Sequence, residues 1–292
     1  MRKKMVTASD IARTDFIIAD INDTVSSLIG QMERHKECYA VVFEDSNYKG
    51  IVAKKWLLSS RIDPAEMKLK NLFKHRSKSK TPFFVPKLSP DTELREIARL
   101  MATADVHALP VIITEHKKEH VIGMVHSLDL IANLRNFYSR VRADELASMK
   151  LVTIHQNEKV SKAMNLMSKQ GISKIVVVDS QNKLIGILGL TDILIDVHAF
   201  PRTRMRIPKA ASHQMGKHTG FGVGEKTNLL ELPVHNVITH VPNCITATPE
   251  ESMASIIDIM VNNNVSSVVL VKKEIPVGII TIKDILEDFS KE

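Results

Sequence analysis

The chain has 292 residues, 44% hydrophobic and 25% charged, with a formal net charge of +7. That length suggests about two domains, and that composition excludes a mostly disordered chain. No apolar run approaches a membrane span, no secretory signal is visible, and two distant cysteines, Cys38 and Cys244, exclude a disulfide framework and fit a reducing cytoplasm.

In chain order, the first periodic stretch predicts an amphipathic helix capped at Asp20 and ending just past Met32. The runs Ala40-Val41-Val42-Phe43 and Gly50-Ile51-Val52 read as strands, and Trp56-Leu57-Leu58 as a second short helix. From Met67 to Pro90 there are seven Lys and Arg residues and no Asp or Glu. The same pattern then returns. Ser89 stands as a cap, and Leu94, Ile97, Leu100 and Met101 follow at helical spacing. Leu109-Pro110-Val111-Ile112 and Gly123-Met124-Val125 are the next strands, and Asp129-Leu130-Ile131 the next short helix.

A third copy runs through His155, Met167, Ile175-Val176-Val177-Val178, Gly186-Ile187-Leu188 and Asp192-Ile193-Leu194. A second basic segment, His198 to Glu231, has six Lys and Arg residues against two Glu. The fourth copy opens on the capping box Thr248-Pro249-Glu250-Glu251 and continues through Met253, Ile256, Ile257 and Met260. Val268-Val269-Leu270-Val271, Gly278-Ile279-Ile280 and Asp284-Ile285-Leu286 complete it. The fourth residue after each methionine is Lys36, Asp105, Gly171 or Asn264, and Gly or Asn there suits a left-handed helix end. The unit is strand, helix, strand, strand, helix, an α/β (α+β) fold repeated four times. One unit of roughly 55 residues is marginal alone, so four units suggest two pairs, each sharing a core.

The element Gly278-Ile279-Ile280-Thr281-Ile282-Lys283-Asp284 brings a strand to a helix N-terminus. Free N–H groups there attract phosphate, the Thr hydroxyl adds a donor, and the Asp can accept both hydroxyls of a ribose. Thr281-x-x-Asp284 is also sufficient as a helix cap with no ligand. The other copies have diverged. Trp56 replaces the acid in the first, His126 the Thr in the second, and Gly189 the Thr in the third.

These residues resemble the CBS domain, whose Gly-h-h-Thr-x-x-Asp pattern the fourth copy matches without deviation. Four copies in register look like the gamma subunit of AMP-activated protein kinase and its stand-alone archaeal relatives. Val106-His107-Ala108-Leu109-Pro110-Val111 is similar to a run of that subunit. The resemblance implies two Bateman modules forming a flat disc. The first is 1–140, with repeats at about 5–60 and 81–137 and a basic linker at 61–80; the second is 141–292, with repeats at about 143–197 and 232–290 and a basic, glycine-containing linker at 198–231. It also implies a non-enzymatic regulator that binds AMP, ADP or ATP between repeats and signals to a protein partner.

Carried over residue by residue, Thr281 and Asp284 would face Val152, Thr153, Ile172, Ser173 and Lys174, with Lys174 a phosphate contact. Asp192, beside Thr191, would face Ile245, Thr246, Val265 and Ser266. Asp129 would face the first repeat near Glu37 and Cys38, a poor neighbourhood for phosphate. His107 would reach phosphate from the disc centre or serve an interface. No metal motif or catalytic constellation is present. The basic linkers read as solvated connectors or as a polyanion surface for nucleic acid. An S-adenosyl compound is an alternative ligand, a homodimer an option for assembly, and the cytoplasm the expected location.

Overall fold

The computed structural model describes residues 5–59, 67–77, 86–190, 193, 230–240 and 244–291. In the first repeat a short leading helix, α1 (Ala8–Ile11), precedes β1 (Ile17–Asp20), α2 (Val25–His35), β2 (Tyr39–Glu44), β3 (Asn47–Ala53) and α3 (Lys54–Ser59). β1 runs parallel to β2 and β2 antiparallel to β3. The crossover through α2 allows the parallel pairing, and the tight turn at Asp45 and Ser46 the antiparallel one.

Then come α4 (Leu69–Ser77), α5 (Leu94–Ala104), the hairpin of β4 (Ala108–Glu115) and β5 (Lys118–His126), and α6 (Ser127–Leu134). The first strand of this second repeat shrinks to one parallel bridge between Leu88 and Val111. The third repeat has α7 (Ala143–Leu146), β6 (Thr153–His155), α8 (Val160–Gln170), β7 (Lys174–Val178) and β8 (Leu184–Gly189). A 3-10 turn (Val234–Asn236) and β9 (Thr239–His240) lead to the fourth: β10 (Thr246–Ala247), α9 (Met253–Asn262), β11 (Ser267–Lys272), β12 (Ile275–Thr281) and α10 (Ile282–Lys291). The chain divides into two units, Met1–Arg140 with Met253–Ser266 and Thr281–Glu292, and Val141–Ser252 with Ser267–Ile280.

Four buried methionines, Met32, Met101, Met167 and Met260, anchor the long helices. Four residues on, the backbone is left-handed in every copy: Lys36 (φ 56°), Asp105 (51°), Gly171 (66°) and Asn264 (51°). The next N–H returns to the methionine carbonyl: Glu37 to Met32 at 2.9 Å, Val106 to Met101 at 3.1 Å, Ile172 to Met167 at 3.0 Å, Val265 to Met260 at 3.0 Å. That closure satisfies a carbonyl the helix end would leave unpaired and turns the chain into the next strand.

The helix starts differ from expectation. Asp20, Ser89, His155 and Thr248 do not cap the helices; each opens a tight turn whose carbonyl accepts from the N–H three residues on. The helices begin five residues later, after Thr24, Glu93, Lys159 and Ser252. Each of these four is held in an antiparallel bridge by the segment leading into the paired repeat: Thr24 by Lys68, Glu93 by Thr7, Lys159 by Pro233, Ser252 by Arg142. Repeats one and two, and repeats three and four, thus exchange their leading segments.

The first basic segment is partly folded, against the expectation of a solvated connector. Leu69 and Phe73 lie one turn apart on α4 and join Leu28, Met32, Val42 and Leu57 in the first repeat's core. Lys78, Lys80 and the whole of 194–229, with Arg202, Arg204 and Arg206, lie outside the described residues. The far end of the second basic segment behaves like α4, since Leu230 and Leu232 pack against the third repeat's core. Among the described residues no helix is long and apolar enough to cross a membrane.

Candidate functional site

One backbone hydrogen bond recurs in all four repeats and sets the site geometry. The N–H just after the Thr position of the Gly-h-h-Thr element donates to the loop before the central strand. The pairs are Lys54 to Cys38, Ser127 to His107 and Leu190 to Ser173, each at 2.8 Å, and Ile282 to Ser266 at 3.1 Å. The bond ties the helix N-terminus to the loop and places Thr281 beside Ser266.

The fourth repeat carries the complete element. Thr281 donates to Asp284 Oδ2 twice, from its N–H and from its Oγ1, both at 2.7 Å. The Asp284 N–H returns a longer bond to Thr281 Oγ1 at 3.4 Å. The capping function expected of this pair is therefore met, and it uses one carboxylate oxygen. Both residues are half-buried, and Val265 and Ser266 belong to the same unit.

The other unit holds Val152, Thr153, Ile172, Ser173, Lys174, Ile245 and Thr246. Val152 and Ile245 each offer a carbonyl to the neighbouring strand, at Val176 (3.4 Å) and Val269 (3.2 Å). Thr153 pairs with Val176 and Thr246 with Val269 in register. Lys174 Nζ donates to Ser267 Oγ at 2.7 Å. Burial pushes the nearby Cys244 thiol up to about 11, and Lys174 pulls it down. Thr191 and Asp192 lie outside the described residues.

In the first unit Asp129 meets Arg13, a residue that spacing alone did not single out. Arg13 Nε donates to Asp129 Oδ2 at 2.6 Å and Arg13 Nη2 to Asp129 Oδ1 at 2.8 Å. The fork occupies both carboxylate oxygens. Its backbone is fixed by two bonds with Met124, N–H to carbonyl at 2.9 Å and the reverse at 2.8 Å. Gly123 permits this approach, because a Cβ there would sit 2.8 Å from Ala12 Cβ and 3.1 Å from the Arg13 carbonyl. The pair borders an open cleft of 490 Å³ between Met5, Val6, Ile11 and Arg13 on one side and Asp129, Ala132 and Asn133 on the other.

The electrostatics near the Arg13–Asp129 pair and in the flanking repeats are mixed. Hydrogen bonding to Asp129 raises the Arg13 guanidinium above its ordinary value. Burial raises Glu37, and Arg13 offsets part of the rise. Burial holds His126 below its ordinary value, and its Nε2 has no hydrogen-bond partner among the described residues. His107 Nδ1 lies 3.2 Å from Ser127 Oγ. Trp56, at the acid position of the first repeat, is half-buried.

Comparison with known proteins agrees with this architecture. The CBS domain profile matches residues 8–55, 83–136, 143–198 and 234–291. A Methanocaldococcus jannaschii protein put forward as an archaeal homolog of g-AMPK shares the fold at a TM-score of 0.70 and 17% identity, over 97% of this chain and 100% of that one. A conserved protein of Pyrococcus horikoshii does so at 0.60 and 16%, with the same coverage. By sequence, an uncharacterized M. jannaschii protein is 32% identical over 107 residues, 37% of this chain and 34% of its own. An inosine-5'-monophosphate dehydrogenase of Aquifex aeolicus is 25% identical over 143 residues, 48% of this chain and 27% of its own. The matched regions thus span about a third or less of these two relatives.

Proposed function

The chain belongs to the CBS domain family, and from that premise we propose that it binds an adenine nucleotide, AMP, ADP or ATP, through the Gly-Thr-Asp element of its fourth repeat. In this reading it signals the ligand state to a protein partner and catalyses no reaction itself. The observation that carries the reading is the Thr281–Asp284 pair, whose local bonds converge on Oδ2. The cap leaves Oδ1 to accept from a ribose hydroxyl, and the first turn of α10 offers N–H groups to a phosphate. A ligand shifts the shape of the protein only to the extent that it binds two shapes with different affinity.

Titration calorimetry with AMP on the full chain tests the reading. Asp284→Ala removes hydrogen bonds to an ionised acceptor, each contributing about 1.5–3 kcal/mol, so affinity should fall at least tenfold. Unchanged affinity in a variant of normal melting temperature overturns the assignment. Binding of an S-adenosyl compound in place of all three nucleotides would keep the site and change its ligand.

A further inference from the structure

We infer that Arg13 closes the cleft of the first repeat pair to ribose, by taking both oxygens of the carboxylate that would otherwise receive the two hydroxyls. The inference rests on the nucleotide reading given above and extends it to a residue outside the repeated element. A ribose entering this cleft must replace two bonds in which donor and acceptor are both charged, at 2.6 and 2.8 Å, with two in which only the acceptor is, and it leaves the guanidinium without its counter-charge.

Three observations assign this to Arg13 itself. Its backbone is pinned to Met124 on both sides, so the guanidinium is presented to Asp129 from a fixed point. The same bridge recurs in the third and fourth repeats with Thr239 opposite Ile187 and Ser148 opposite Ile279. As residue types, neither Ser nor Thr carries a fork that spans a carboxylate. The two acids also differ in what they do: Asp284 turns back to its own helix start, whereas Asp129 turns to Arg13 and α6 has no side-chain bond at its N-cap, His126.

The test counts bound nucleotide on the full chain by calorimetry with AMP. Arg13→Ser should add one equivalent to the wild-type stoichiometry, and Arg13→Gln should do the same while keeping more of the side-chain packing. Adding Asp129→Asn to either variant should remove the gained equivalent. Asp129→Asn alone should leave the wild-type stoichiometry unchanged. If the wild type binds no AMP and Arg13→Ser binds one Asp129-dependent equivalent, this inference stands and the fourth-repeat assignment fails. The inference is overturned if both folded Arg13 variants keep the wild-type stoichiometry, or if Asp129→Asn alone removes an equivalent.

Discussion

The backbone N–H of His107, in the second repeat, donates to the phenol oxygen of Tyr39, in the first, at 2.9 Å. Tyr39 is 7% exposed, and burial pushes its phenol well above the ordinary range, so it remains a neutral acceptor. Tyr39→Phe strands that N–H and should cost about 1–3 kcal/mol. Urea unfolding of the variant checks this; an unchanged midpoint would mean that another group takes over the bond.

The left-handed helix ends carry a stability difference that depends on side chain alone. Lys36 adopts φ 56° with a Cβ, and Gly171 adopts φ 66° without one. Lys36→Gly should stabilise by about 0.5–1 kcal/mol, and Gly171→Ala should destabilise by about 1 kcal/mol. Thermal melts of the two variants should move in opposite directions.

Gly123 and Gly278 occupy equivalent positions but face different obstacles. A Cβ at Gly123 meets Ala12 Cβ at 2.8 Å and the Arg13 carbonyl at 3.1 Å, neither of which can swing away. A Cβ at Gly278 meets the Met149 sulfur at 2.9 Å, the end of a flexible side chain. Gly123→Ala should cost about 1–3 kcal/mol, and Gly278→Ala clearly less. Equal losses would argue against the bridge at Arg13 as the constraint.

His126 links stability to pH. Its folded value lies below the ordinary 6.5, from burial first and Arg13 second, with Asp129 opposing. As pH falls through 6.5, the unfolded chain takes up a proton that the folded ring refuses, so stability drops until the folded value is passed. Above 6.5 the ring is neutral in both states and contributes no slope. His126→Gln should flatten the fall in urea midpoint between pH 7 and pH 5; an identical slope in wild type and variant would contradict this.

Local signals reached some of these features and not others. The methionine spacing located all four helix ends, because a left-handed turn is set by residues within one helical turn of it. Lys36 and Asp105 take that turn despite being neither Gly nor Asn, since the returning bond to the methionine carbonyl outweighs the residue's own preference. Asp20 and Ser89 have the residue types of helix caps yet do not cap, because the bridges that fix the true starts, Thr24 with Lys68 and Glu93 with Thr7, come from distant chain. Arg13 and Asp129 are separated by 116 positions, and nothing in either local sequence marks the other. Phe73, inside the first basic segment, is 9% exposed, held in the core by the helical spacing it shares with Leu69.

The exchange of leading segments also bears on how the chain is made. A ribosome releases the N-terminus first, so Thr7 emerges long before Glu93, and Arg13 before Met124, the residues they pair with. A nascent chain halted after Ser59 would lack Leu69 and Phe73 as well, leaving the apolar face of the first sheet open to chaperones or to neighbouring chains. A single repeat is thus too short to fold during translation. Gene truncations or fusions that cut within a pair should yield insoluble product.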